Sequence, residues 1–112
     1  MQSKEFLLEQ EMQFENTDPG VKRQIMGYNE DVMMVRVVFE SGAVGYEHKH
    51  PHIQTSYVAK GVFEITIDGK TQRLKEGEGF FVPSNVLHGA KCIEQGELID
   101  AFAPMRKDFL KQ

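Results

Sequence analysis

From residue 19 onward the chain is a series of short apolar runs separated by turn residues. Val21 to Tyr28 and Val32 to Glu40 are rich in β-branched and apolar side chains, with Asn29-Glu30-Asp31 between them. Both runs read as strands. Gly42 and Gly45 punctuate the next loop, Gln54 to Ala59 reads as a strand, and Lys60-Gly61 is read as a turn. Phe63, Ile65 and Ile67 then alternate with Glu64 and Thr66, the period-two pattern of a half-buried strand. Asp68-Gly69 is a two-residue hairpin signal, because both turn positions call for positive φ. Lys70 to Leu74 is the return strand. Gly77-Glu78-Gly79 turns the chain again, and Phe80-Phe81-Val82 is a further strand ending at Pro83. Val86 to Ile93 and Leu98 to Ala103 complete the set, and residues 105 to 110 have room for one or two helical turns. About eight to ten short strands at this spacing predict an all-β sandwich or barrel.

The first 18 residues differ in character. They are polar and acidic, with scattered Phe6, Leu8, Met12 and Phe14, and form either a short helix or an arm along a sheet edge. Asp18-Pro19-Gly20 is a turn and separates this arm from a single domain over residues 19–112. A length of 112 residues accommodates one core. Hydrophobic residues make up 40% and charged residues 27%, the balance of a globular chain. The formal charge is -4 with no long basic run, which argues against a nucleic-acid groove. One cysteine cannot form an internal disulfide and favours a reducing compartment. Near the N-terminus the longest apolar run is Phe6-Leu7-Leu8 among five acidic residues, unlike a signal peptide or anchor. No stretch approaches a membrane span. The expectation is a cytoplasmic protein with neither nucleic-acid nor membrane partners.

All four histidines lie between residues 48 and 88. On an extended chain, residues two apart face the same side, so His48 and His50 can aim both imidazoles at one point. Pro51 interrupts strand geometry before His52. Gln54 follows, and His88 lies on a later strand. Imidazole is the commonest protein ligand for first-row divalent ions. A bare His-x-His is weak evidence on its own, and the flanking glycines make it specific. Gly42, five residues, His48, one residue, His50, three residues, Gln54, six residues, Gly61 matches the spacing of the first cupin motif. Gly77, five residues, Pro83, one residue, Asn85, two residues, His88 matches most of the second.

On these residues the chain resembles a small single-domain cupin. The resemblance implies a jelly-roll β-barrel (double-stranded β-helix) with one divalent metal ion per chain. The implied ligands are His48, His50, Gln54 and His88. Gln54 stands where the pattern usually has Glu, Asn85 where it usually has Gly, and Cys92 where it usually has Asn. Asn, like Gly, accepts turn geometry. Three imidazoles and an amide leave the ion its full double positive charge, which suits an anionic, chelating substrate and Lewis-acid chemistry. Nickel, zinc, iron, manganese and cobalt all accept such ligands. His52 either lines the cup or donates a hydrogen bond beside the ligands, and Cys92 reads as a buried packing thiol.

A closer resemblance extends outside the metal motifs. Val21 to Tyr28, Gly42-Ala43-Val44-Gly45, His48-Lys49-His50-Pro51-His52, the hairpin Gly61 to Gly69, and the tail Leu98 to Arg106 with Asp108-Phe109-Leu110 are similar to the KdgF group of cupins. That group acts in pectin and alginate breakdown. The resemblance implies ring opening of 4,5-unsaturated uronate monosaccharides to the linear 4-deoxy-5-keto uronate. It implies Asp100 as the acid/base group, Arg106 as the clamp on the substrate carboxylate, and Phe102 and His52 as pocket residues. Asp100 and Phe102 have the same parity on the last strand, so both can face inward. Without the resemblance, Asp100 reads as a carboxylate that orients a histidine or pairs with a lysine, and Arg106 as a rim salt bridge. Galacturonate-type and mannuronate- or guluronate-type substrates both remain open. Two other readings compete: a dioxygenase or other sugar isomerase on the same scaffold, and a binding cupin without turnover. Small cupins tend to pair through sheet edges, so a homodimer is expected.

Overall fold

The structure is a computed structural model and describes residues 1–110. Eight strands are present among the described residues: β1 Phe14–Asp18, β2 Val21–Asn29, β3 Val32–Phe39, β4 Val44–His48, β5 Ile53–Ile67, β6 Lys70–Lys75, β7 Gly79–Val82 and β8 His88–Ala103. Single 3-10 turns occupy Glu9–Glu11 and Lys107–Phe109. The hydrogen-bonded order is β1-β2-β3-β8-β5-β6, with β4 on β8 and β7 on β5, all antiparallel. Asp68 and Gly69 both have positive φ, as a two-residue hairpin requires. Asn85, at the position where the cupin pattern usually has glycine, also lies in the left-handed region, with φ 61°.

Two expectations are corrected here. Lys60-Gly61 does not reverse the chain, and the last two predicted strands are one. β5 runs for 15 residues and β8 for 16, paired along almost their whole length. Their first and second halves take different neighbours within one eight-stranded sheet. The late half of β8 pairs with β3 and the early half of β5, and the early half of β8 pairs with β4 and the late half of β5. The crossing is marked by register shifts between Val58 and Phe63. Gly61 has φ +83°, and a Cβ there would lie 2.5 Å from the Gln95 carbonyl oxygen. A Cβ on Gly96 would collide with the Lys60 carbonyl. The paired glycines let two backbones touch at a bulge, so both strands continue through the irregularity and change neighbours without ending.

Residues 1–18 hold one 3-10 turn and an edge strand of the sheet rather than an α-helix. Ser3 N–H donates to the Tyr28 carbonyl at 2.9 Å, and Tyr28 N–H donates to Ser3 Oγ at 3.0 Å. β1 then pairs with β2.

Two apolar clusters form the core. Val21, Phe39, Val58, Phe63, Ile65, Cys92 and Leu98 form one, with Phe39 and Phe63 edge to face at 5.1 Å. Met33, Val35, Phe102 and Met105 form the other. The inner face of β5 reads Gln54, Ser56, Val58 and that of β8 reads Leu98, Asp100, Phe102, all buried. Apolar core and polar site therefore share the same two strands. The outer face carries an uncovered apolar row. Phe81, Thr55, Ala101 and Met34 are laterally paired across β7, β5, β8 and β3, and Phe81 is 56% exposed and Met34 42%. Ile53 and Tyr57 extend it. Among the described residues no helix is long and apolar enough to cross a membrane.

Candidate functional site

Strand pairing brings the distant histidines together. His48 ends β4 and His88 begins β8, and the two are cross-strand partners. His50 lies in the loop between β4 and β5. The ring centroids of His48 and His88 are 4.5 Å apart, and those of His50 and His88 are 4.8 Å apart. One ligand atom from each of the three lies within 4.8 Å of the others.

The backbone sets their tautomers. Nδ1 of His48 donates to the Tyr46 carbonyl, Nδ1 of His50 to that of His52, and Nδ1 of His88 to that of Val86, each at 2.9 Å. A carbonyl only accepts, so each Nδ1 carries a proton, and Nε2 is the atom that bears the lone pair when the ring is neutral. Burial, followed by Arg106, pushes the pKa of His50 below the usual histidine value. Burial pushes His88 down to about 4. These two rings are therefore neutral near pH 7.

The donor set fits a divalent cation. Nε2 of His88 is buried with no hydrogen-bond partner among the described residues, a costly state for a lone pair unless something electrophilic meets it. Nε2 of His50 faces Oε1 of Gln54 at 3.1 Å. With His50 neutral and its proton on Nδ1, both atoms are acceptors, and a cation beside them relieves the opposition. His48, His50, Gln54 and His88 are thus the residues that would hold an ion. Cys92 is elsewhere, buried in the apolar core with Sγ donating to the Glu94 carbonyl at 3.0 Å, and burial raises its thiol pKa.

A cavity of about 270 Å³ opens beside the histidines, lined by His48, Gln54, His88, Asp100, Phe102 and Arg106 among others. Ser56 and Asp100 are cross-strand partners, as are Gln54 and Phe102, so all four face the same side. Ser56 Oγ donates to Asp100 Oδ1 at 2.6 Å and accepts from Gln54 Nε2 at 3.0 Å. Burial lifts the Asp100 carboxyl from the ordinary 3.8 to about 6, with the Ser56 hydrogen bond and the Arg106 charge acting the other way. The group is poised to exchange a proton near neutrality.

Arg106 is buried, its guanidinium 5.0 Å from the Phe102 ring centroid and 4.2 Å from that of Phe109. Its Nε and Nη2 donate to the two carboxylate oxygens of Asp108 at 3.1 and 2.8 Å. That bond holds the Asp108 carboxyl below its usual range. The ion pair occupies the Nε/Nη2 edge of the guanidinium; a guanidinium has a second edge of the same two-pronged geometry.

His52 stands beside His50: its ring lies 5.5 Å from that of His50 and its backbone carbonyl accepts from His50 Nδ1, and like His50 it is not among the residues lining the cavity. Burial and then Arg106 lower its pKa, against the opposing pull of Asp108 and the Met105 backbone.

Sequence reasoning missed Ser56, Asp108 and the wall supplied by β1 and β2. Thr17, Asp18 and Arg23 also line the cavity. Arg23 Nε meets Glu15 Oε1 at 2.6 Å, and its guanidinium lies 3.7 Å from the Phe109 centroid. Ser56 carried a usable signal, sharing strand parity with Gln54. Arg23 carried none, because its position depends on which strands pair.

Comparison with known proteins agrees with this geometry. Residues 35–102 match the model of the cupin domain family. A curated relative, the pectin degradation protein KdgF of Dickeya dadantii (strain 3937), is 42% identical over 94% of this chain and 97% of its own. Two solved structures are similar throughout. An RmlC-like cupin from Shewanella frigidimarina NCIMB 400 has a TM-score of 0.94 and 44% identity, covering 97% of this chain and 98% of its own. KdgF from a Halomonas species has a TM-score of 0.91 and 37% identity, covering 96% and 100%.

Proposed function

Since the chain belongs to the cupin family, and within it to the KdgF group, we propose that it opens 4,5-unsaturated uronate monosaccharides to linear 4-deoxy-5-keto uronates in the cytoplasm. One observation carries the reading. A buried carboxyl poised near neutrality and a buried guanidinium line one small cavity with His48 and His88, and His50 completes the three-histidine cluster beside it.

Each part has a task. His48, His50, Gln54 and His88 would hold a divalent ion, which would supply Lewis-acid chemistry toward a substrate oxygen. Arg106 grips the uronate carboxylate through its Nη1/Nη2 edge and fixes the sugar's orientation. Phe102 walls the cavity beneath that guanidinium and excludes water. Ionised Asp100 takes the proton of the anomeric hydroxyl at C1, and the C1–O5 bond breaks as the C1 carbonyl forms. Breaking C1–O5 leaves an enolate at C5, and the same carboxyl returns its proton to C4, which turns that enolate into the ketone. The proton leaves O1 and arrives at C4, so the reaction is an isomerisation with no co-reactant.

The test is NMR of 4,5-unsaturated galacturonate with the metal-loaded protein. The double-bond signal is expected to disappear faster than in a protein-free control. Arg106→Ala is expected to slow the enzymatic part about 100-fold, the scale of a lost charge-assisted clamp. If protein and control decay together with each candidate metal, this substrate is wrong.

The homodimer belongs to the same proposal. The exposed row of Ile53, Tyr57, Phe81 and Met34 is an apolar face of the kind that marks an interface, and it supports a two-fold pairing of the outer faces. Sedimentation at micromolar concentration is expected to give a dimer, and Phe81→Glu a monomer. A monomeric wild type would refute the pairing.

A further inference from the structure

We infer that Ser56 is a positioning residue: it turns the Gln54 side chain so that its oxygen, not its nitrogen, faces the histidine cluster, and it ties that orientation to Asp100. The inference rests on the proposed metal site and deepens it.

A glutamine amide has two faces of opposite character and nearly equal shape, and only one of them can ligate a cation. Something must decide between them. On the far side of Gln54 from His50 stands the Ser56 hydroxyl, 3.0 Å from Nε2. A hydroxyl has one proton, and here it goes to the Asp100 carboxylate at 2.6 Å. Ser56 therefore presents only a lone pair to Gln54, and the amide N–H₂ is the group that satisfies it. Oε1 is consequently turned toward His50 Nε2, at 3.1 Å. The chain Asp100–Ser56–Gln54–His50 has a direction fixed at one end by a group that as a carboxylate only accepts. All four residues are buried, so water does not offer the amide a competing partner. The glutamine at this position makes the device necessary. A carboxylate there would present oxygen whichever way it turned.

The test uses cobalt(II) alone, with affinity measured by chelator competition and the coordination sphere read from the visible spectrum. Four chains are compared: wild type, Ser56→Ala, Gln54→Glu and the double variant. Ser56→Ala is expected to bind cobalt about tenfold more weakly with an altered visible band, the usual scale for losing a group that orients a ligand. In the Gln54→Glu background both terminal atoms are oxygens, and the same Ser56→Ala change is expected to shift affinity less than about threefold. Far-UV circular dichroism is expected to be the same for all four. Wild-type affinity and spectrum in Ser56→Ala would overturn the assignment. So would an equal loss in both backgrounds, which is what a merely structural role gives. A wild-type chain that takes up no cobalt would fail differently, by removing the metal site itself and this inference with it.

Discussion

Asp100→Asn is expected to abolish turnover and, at neutral pH, to make the fold more stable. The two effects have one cause. Burial raises the Asp100 carboxyl from 3.8 to about 6, so in the native state the ionised form is held against its preference for water. A rise of about two pH units at about 1.4 kcal/mol each corresponds to about 3 kcal/mol of stability forgone above pH 6. Asparagine has nearly the same shape and keeps an oxygen to accept the Ser56 hydroxyl, but carries no charge. Part of that cost returns as a gain of about 2 kcal/mol. The sign of the pH dependence follows. Between 3.8 and 6 the native chain holds a proton on Asp100 that the unfolded chain has lost. The Asp100 contribution to wild-type stability therefore falls as pH rises through this window and is absent from the variant, so the variant's advantage over wild type grows from pH 4 to pH 6.5. Denaturant melts of chelator-stripped protein at these two pH values measure it. Turnover is expected to drop about 100- to 10,000-fold, the range for loss of a general acid–base group, with substrate binding retained. A variant with normal turnover would remove Asp100 from the chemistry. A variant less stable than wild type at pH 7 would mean that the buried charge is compensated by its neighbours.

How much of this was readable beforehand depends on distance along the chain. His48 and His50 are two apart, and the period-two rule alone places both rings on one side. Asp68-Gly69 and Asn85 follow from local φ requirements, and the structure has them as expected. Asp100 and Phe102 share a face for the same local reason. The long strands were misjudged because glycine has two uses. Gly61 marks a turn when one strand is considered in isolation. It becomes a bulge only because Gly96, 35 residues later (96 − 61), offers it a bare backbone to press against. No local rule sees that pairing. The same holds for the cavity wall. Arg23 and Asp18 reach the site because β1 and β2 fold over it, whereas Arg106 was expected there only through family resemblance. Its ion pair with Asp108 shows that the clamp and salt-bridge readings of Arg106 were never exclusive, since one guanidinium has two edges.

His88→Ala is expected to have the largest effect on metal. His88 is buried, its Nδ1 is committed to the Val86 carbonyl, and its Nε2 has no partner among the described residues. Removing it takes away the donor with least to do in the ion's absence. Wild-type protein in zinc at about 1,000 times its dissociation constant is expected to gain about 4 kcal/mol of stability through mass action. The variant is expected to gain less than about 1 kcal/mol at the same zinc concentration. Turnover is expected to fall about a thousandfold, the equivalent of about 4 kcal/mol of lost transition-state stabilisation. The metal-free chains give an independent check with its own sign. His88 is held near 4, below its ordinary 6.5, so between these values the unfolded chain binds a proton that the native chain refuses. Metal-free wild type thus loses stability from this group as pH falls, by about 2 kcal/mol at pH 5, and His88→Ala is spared that loss. Asp100 acts with the opposite slope over nearly the same range, so the two variants tilt the pH profile in opposite directions. A His88→Ala chain still stabilised fully by zinc would place the ion elsewhere. An unchanged pH profile in the metal-free variant would mean that His88 is charged in the fold, and the lone pair that makes the site attractive to a cation would not be there.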